Sequence, residues 1–149
     1  MKKTDLAYMA GIFDGEGCIV IHKSKPRQRG INPSYVIEIN LANTNEWIVR
    51  QFHFSFGGNV YLRKRQTETS REIWAWQISA NQALLCLKTL LPYLKLKRGQ
   101  AEIAIKFQEE KIKRHFRLLD NKDLVIAEAN KILISNLNKG RTQEGEAPS

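Results

Sequence analysis

The segment LAYMAGIFDGEG, residues 6–17, puts two carboxylates, Asp14 and Glu16, just past a run whose small residues recur four apart. Gly11 falls inside what the apolar spacing predicts to be a helix, where glycine costs about 1 kcal/mol relative to alanine. A compensating contact is therefore expected. Tyr8, Gly11, Ile12 and Gly15 share one stripe of that helix, and the missing side chains let two such helices approach nearly backbone to backbone. Asp14 and Glu16 then stand beside the contact, where helix gives way to strand, and two copies bring a pair of carboxylates together. The other stripe, Leu6, Met9, Ala10 and Phe13, is expected to face a core.

The elements that position these groups follow from periodicity and punctuation. Thr4 is a suitable N-cap for the motif helix, residues 4–17. The period then changes to two through Ile19, Val20 and Ile21, and a connection bearing Pro26, Gly30 and Pro33 precedes a second strand with Tyr35, Ile37, Ile39 and Leu41 on one side. This makes a first hairpin at about 17–42. Asn43 or Asn45 can cap a helix from 46 to about 56, ended by Gly57 and Gly58. A second hairpin is expected at about 58–79, then a helix with a Ser79/Gln82 capping box that Pro92 stops. Two more helices fill 97–138, and 140–149 reads as a flexible tail. One domain over 1–139, in the order αββαββ followed by helices, is an α+β pattern with an antiparallel four-stranded sheet and helices on one face.

A chain of 149 residues with 42% hydrophobic residues can bury a real core, which excludes wholesale disorder. Its 24 Lys plus Arg against 15 Asp plus Glu leave a net charge of +9, which attracts polyanions, nucleic acid above all. The surplus is placed: Lys23, Lys25, Arg27 and Arg29 lie between Glu16 and Glu38 with no acid among them, and Arg63, Lys64, Arg65 and Arg71 mark the second hairpin. Alternation puts Cys18, Val20, His22 and Ser24 outward on the first strand, against Ser34, Val36, Glu38 and Asn40 on the second. Tyr61, Arg63 and Arg65 share the outward face of the third, opposite Val60 and Leu62 on the core side. On the fourth, Trp74, Trp76 and Ile78 read as core and leave Ile73, Ala75 and Gln77 outward. Two basic hairpin tips on one sheet suit a β-ribbon reader of the major groove. Two cysteines, Cys18 and Cys86, are too few for a disulfide framework, and Asp5 and Asp14 interrupt the apolar stretch a signal peptide needs. With no membrane segment in view, an intracellular, reducing compartment is expected.

At residues 9–17, MAGIFDGEG resembles the LAGLIDADG motif of the homing endonucleases. LPYLKLKRGQA, residues 91–101, is similar to the segment bearing that family's active-site lysine. The resemblance spans about residues 4–117 and carries the αββαββα fold with it. It implies that Glu16 holds a divalent cation, Mg²⁺ in the first instance, beside the backbone carbonyl of Gly15. Asp14 takes the position of an acid that braces the helix ends. Lys97 would stabilise developing negative charge or orient water, and Asn43 falls where relatives carry a polar residue that organises active-site water. The basic residue that relatives carry soon afterwards has no clear counterpart, Trp47 and Arg50 being nearest. A single motif copy implies a homodimer packed through Tyr8, Gly11, Ile12 and Gly15, on a long, roughly palindromic double-stranded DNA target. His22, Ser24, Lys25, Arg27, Arg29, Ser34, Glu38, Asn40, Tyr61, Arg63, Arg65 and Arg71 are then the expected DNA contacts.

The reaction implied is a metal-dependent double-strand break promoting intron mobility. Two other readings fit the same fold: an RNA maturase that binds intron RNA, and a DNA-binding regulator that does not cut. Other nuclease patterns fare poorly, since His22, His53 and His115 are scattered and the Glu109-Glu110-Lys111 string lies in a helix without a strand acid upstream.

Overall fold

A computed structural model of the chain describes residues 1–26, 28–29, 31–64, 67–114 and 119–144, the last four of these as backbone only. Helix α1 (Lys3–Glu16) runs straight into strand β1 (Gly17–Lys23), which pairs antiparallel with β2 (Tyr35–Asn43). Helix α2 (Glu46–Phe56) is followed by β3 (Asn59–Arg63), β4 (Ile73–Ser79) and α3 (Ala80–Leu90). A 3₁₀ turn at Leu91–Tyr93 leads to α4 (Arg98–Lys113) and α5 (Asn121–Glu144). The strands make one antiparallel four-stranded sheet in the order β1-β2-β4-β3. This is the α+β architecture expected, with helices on one face.

Register explains which face is which. Ile19, Ile39 and Ile78 lie in one row across β1, β2 and β4, Ile21 and Ile37 in the next, and Leu41 opposes Trp76. All of these are buried, and Met9, Ala10 and Phe13 of α1 join them in one core. Each large side chain taken wholly out of water contributes roughly 1.5–3 kcal/mol. Trp76 is fully buried against Phe52, ring centroids 5.1 Å apart, and its indole N–H donates to the Gly57 carbonyl at 2.7 Å. Trp74, one step closer to the sheet's end, is half-buried.

Several boundaries differ from expectation. Lys2, not Thr4, occupies the N-cap of α1, and its N–H donates to Asp5 Oδ2 at 3.1 Å, so a carboxylate reaching back takes the part assigned to a hydroxyl. Asn45 does cap α2, accepting from the Trp47 N–H at 3.0 Å. Ser79 stands at the N-cap of α3 without a side-chain cap bond, because it is still paired to Glu38 as the last residue of β4. Val60 is only half-buried and Leu62 is 43% exposed, since β3 is an edge strand without the cover that α4 and α5 give the opposite edge, β1. The tail expected from 140 begins inside α5, which continues to Glu144. One exposed glycine costs about 1 kcal/mol, too little to stop a 24-residue helix that is docked on β1 through Asn138 Nδ2 to Ile19 O at 3.0 Å.

The corner between α2 and β3 demands glycine. Gly58 has φ +90°, and a Cβ there would lie 2.0 Å from Ile78 Cγ2 and 2.6 Å from the Gln77 carbonyl. Gly58→Ala is therefore expected to cost on the order of 2–4 kcal/mol of stability, read as a lowered urea midpoint. An unshifted midpoint would show that the corner relaxes without penalty.

Candidate active site

Helix α1 ends in two carboxylates with opposite surroundings. Asp14 is buried, 6% exposed, and its two oxygens accept the backbone N–H groups of Lys95 at 2.7 Å and Lys97 at 2.8 Å. It thereby ties the end of α1 to the loop entering α4. Lys97 is buried as well, 7% exposed, with Nζ donating to the backbone carbonyl of Asp14 at 2.5 Å. The last turn of α1 contains no basic residue of its own, so Lys97 brings the positive charge that a helix C-terminus favours.

Glu16, the final residue of α1, is exposed. Its Oε2 accepts a hydrogen bond from Asn43 Nδ2, while Asn43 Oδ1 takes the Asn45 N–H at 2.7 Å. The carboxylate is thus oriented from the start of α2 through Asn43 and Asn45. Among the described residues its Oε1 takes no hydrogen bond. Burial pushes the Cys18 thiol up, with Lys97 opposing and Glu38 reinforcing the shift. Asn43 thus meets Glu16 at the end of α1, and Lys97 reaches the Asp14 carbonyl two residues earlier in the same helix. The Gly15 carbonyl lies in the same last turn.

The face of the sheet away from the helices carries rows of small and polar side chains. Cys18, Asn40, Gln77 and Asn59 make one row, Ala42, Ala75 and Tyr61 another in which Ala75, expected to face outward, is fully covered by its neighbours, and Ile73 pairs with Arg63 at the edge. His22 is exposed and bonds Glu38 at 3.1 Å across the β1–β2 ladder. Ser24 and Ser34 are spent on one another, hydroxyl to hydroxyl at 2.7 Å and backbone N–H to carbonyl at 2.8 Å, closing the base of the first loop. Lys25 and Arg29 project from that loop, and Arg63, Lys64 and Arg71 are exposed around the second, which also holds Glu68 and Glu72. Arg27 and Arg65 lie outside the described residues. Asn59 was not anticipated, because its facing depends on pairing with Gln77; the polar residue directly after Gly57-Gly58 was the available signal. Arg50 is turned elsewhere, paired with Glu46 at 2.7 Å and lying 5.5 Å over the Trp74 ring. Trp47 is exposed.

On the first stripe of α1, Tyr8 is 54% exposed and Ile12 half-buried. A Cβ built on Gly11 or Gly15 would meet no atom within 4 Å, so both glycines face open space in the protomer. Among the described residues no cluster of three or more His, Cys, Asp or Glu could hold a metal, and no helix is long and apolar enough to cross a membrane.

Comparison with known proteins agrees with this fold. A family model described as LAGLIDADG endonuclease matches residues 9–98. The homing endonuclease I-CvuI, in complex with a target in the presence of Mg, superposes with a TM-score of 0.72 at 20% identity, covering 91% of this chain and 82% of that one. An archaeal intron-encoded homing endonuclease complexed with DNA gives 0.69 at 10% identity, with coverage of 92% and 86%. The homing endonuclease I-TnaI gives 0.62 at 16% identity, with coverage of 93% and 96%. Among curated protein sequences none matches.

Proposed function

The chain belongs to the LAGLIDADG endonuclease family, a family of DNA endonucleases, and from that premise we propose that it acts as a homodimer making site-specific double-strand breaks in a long, roughly palindromic DNA target. The observation that carries this reading is the α1 surface: an exposed stripe with two side-chain-free positions, Gly11 and Gly15, leading directly into an exposed, oriented Glu16. Packing two copies of that stripe together compensates Gly11 and sets one Glu16 from each protomer on either side of the axis.

The donor set suits a hard divalent cation, Mg²⁺ by preference. Glu16 offers a carboxylate and Gly15 a backbone carbonyl, at the negative end of a helix dipole. Glu16 and Gly15 are two ligands, which suits an ion that would keep water and DNA phosphate among its ligands. Such an ion supplies charge stabilisation at the scissile phosphate and lowers the pKa of bound water. The chain's own residues prepare the place. Asn43 fixes the Glu16 carboxylate, Lys97 sets its own ammonium against the helix end, and Asp14 keeps the Lys97 loop on α1.

The outer face supports DNA as the partner. Its central rows are small or polar, which admits base edges, while Lys25, Arg29, Arg63 and Arg71 at the loops can set register on phosphates. In this reading His22, Glu38, Asn40 and Tyr61, with Gln77 and Asn59, make the direct readout, and Ser24 and Ser34 shape the loop. The role we assign is intron mobility, in a reducing intracellular compartment that suits the two free thiols. Purified protein with Mg²⁺ is expected to linearise a plasmid carrying the intron-free junction of the gene that harbours its reading frame, and chelation to stop it. A plasmid that is bound but never cut points to the non-cutting regulator, and binding confined to intron RNA points to the maturase.

A further inference from the structure

The loop of the first hairpin is held at its base by groups distant in sequence. Lys23 and Tyr35 form the last register pair of the β1–β2 ladder. On α5, Glu128 Oε2 accepts from the Tyr35 hydroxyl at 2.6 Å and from Lys23 Nζ at 3.2 Å, and Oε1 accepts from Lys131 Nζ at 3.1 Å. Lys23 Nζ also sits 5.6 Å over the Tyr35 ring. Hydrogen bonds from Tyr35, Lys131 and Lys23 hold the Glu128 carboxyl down to about 2, so it is ionised at any working pH. Two further ties converge on the same segment: Lys111 Nζ to the Tyr35 carbonyl at 2.6 Å, and Asn32 Nδ2 to the Leu119 carbonyl at 2.7 Å.

An ion pair at the surface contributes little to stability, and α5 is already docked through Ala127 and Ile134, both buried. Alternation already puts Lys23 on the helix-bearing side of the sheet with Ile19 and Ile21. What Glu128 adds is anchorage: it holds the Lys23 ammonium on α5 and fixes the strand ends from which Lys25 and Arg29 project.

We propose that Glu128 is a positioning residue for target recognition: it locks the base of loop 24–34 so that the loop meets the outer part of each half-site in one register, and it withholds Lys23 from non-specific phosphate binding. This rests on the DNA-endonuclease reading above. It makes loop precision a property of α5, which carries none of the residues proposed above for the metal or the bases.

The test begins by selecting duplexes from a randomised palindromic library with wild-type protein in Ca²⁺. An empty selection overturns the nuclease reading and this inference together. On a selected duplex, Glu128→Gln is expected to lose about tenfold of its discrimination at outer positions while keeping inner-position preferences and kcat at saturating DNA. Its affinity for scrambled duplex should rise, with a salt slope steeper by about 0.9 for each phosphate that a released Lys23 neutralises. A destabilised protein does not bind scrambled DNA more tightly in that way. Tyr35→Phe keeps the carboxylate and the ring, and should lose outer discrimination without the tighter binding to scrambled DNA. Should Glu128→Gln fail to fold by circular dichroism, the Tyr35→Phe profile decides alone. Equal losses at inner and outer positions, or a profile unchanged from wild type, overturn the proposal.

Discussion

Glu16→Gln is expected to abolish Mg²⁺-dependent cleavage, by at least about 10³-fold, while leaving DNA binding intact or slightly tighter. The substitution keeps size and shape, and a glutamine carbonyl can still accept from Asn43 Nδ2, so the local bonding that orients residue 16 survives. What is lost is one negative charge per protomer at the place proposed for the cation. A thousandfold corresponds to about 4 kcal/mol of transition-state stabilisation, within the range expected when a residue that holds a catalytic ion is neutralised. Binding should not weaken, because the removed charge faced a polyanion. Gel-shift titration in Ca²⁺ and cleavage time courses in Mg²⁺ separate the two effects. Undiminished cutting by this variant would falsify the assignment of Glu16, and parallel loss of binding and cutting would make it a structural residue instead.

The contrast with Asp14, two residues earlier, shows what the fold adds. Both acids sit at the end of one motif, yet Asp14 is buried on two backbone N–H groups and Glu16 is exposed. Spacing alone could put both beside a helix end. The partners of Asp14 stand 81 and 83 residues further along the chain, so they become visible only when the 3₁₀ turn brings that loop back onto α1. Lys97 is a similar case. Its segment was legible by likeness, but its bond to the Asp14 carbonyl is a product of tertiary approach.

Strand facing was readable where helices cover the strand. The alternation of Tyr35, Ile37, Ile39 and Leu41 translated directly into buried positions, because β2 is flanked by β1 and β4 and covered on one side. It failed for Leu62 on β3, an edge strand that lacks the cover α4 and α5 give β1 at the other edge. The turn chemistry at Gly57-Gly58 and the Asn45 cap were local and came through. Glu128 illustrates the opposite limit. In sequence it is one more acid in a helix with lysines nearby, and nothing local distinguishes it from a solvated charge until Tyr35 and Lys23 are placed against it.

Gly11→Leu is expected to give a protein that is folded, at least as stable as the wild type per protomer, and unable to make double-strand breaks. Within a protomer the substitution is benign or better: a Cβ at residue 11 meets no atom within 4 Å, and leucine adds roughly 0.7–1 kcal/mol of helix propensity over glycine. A merely structural role for Gly11 would produce the reverse result. In the proposed dimer the same side chain enters the closest part of the α1–α1 contact, and two-fold symmetry brings in its copy from the other protomer. Forcing the helices apart should weaken self-association by at least about 100-fold, roughly 2.7 kcal/mol, enough to leave monomer at micromolar concentration. Sedimentation velocity reads the association state and thermal melting of the dilute protein reads the protomer. Plasmid assays are expected to show loss of linear product, since each Glu16 serves one strand and a cut through both needs the pair. A Gly11→Leu protein that still sediments as a dimer and still linearises plasmid would remove the α1 stripe from the interface and leave the helix glycine unexplained.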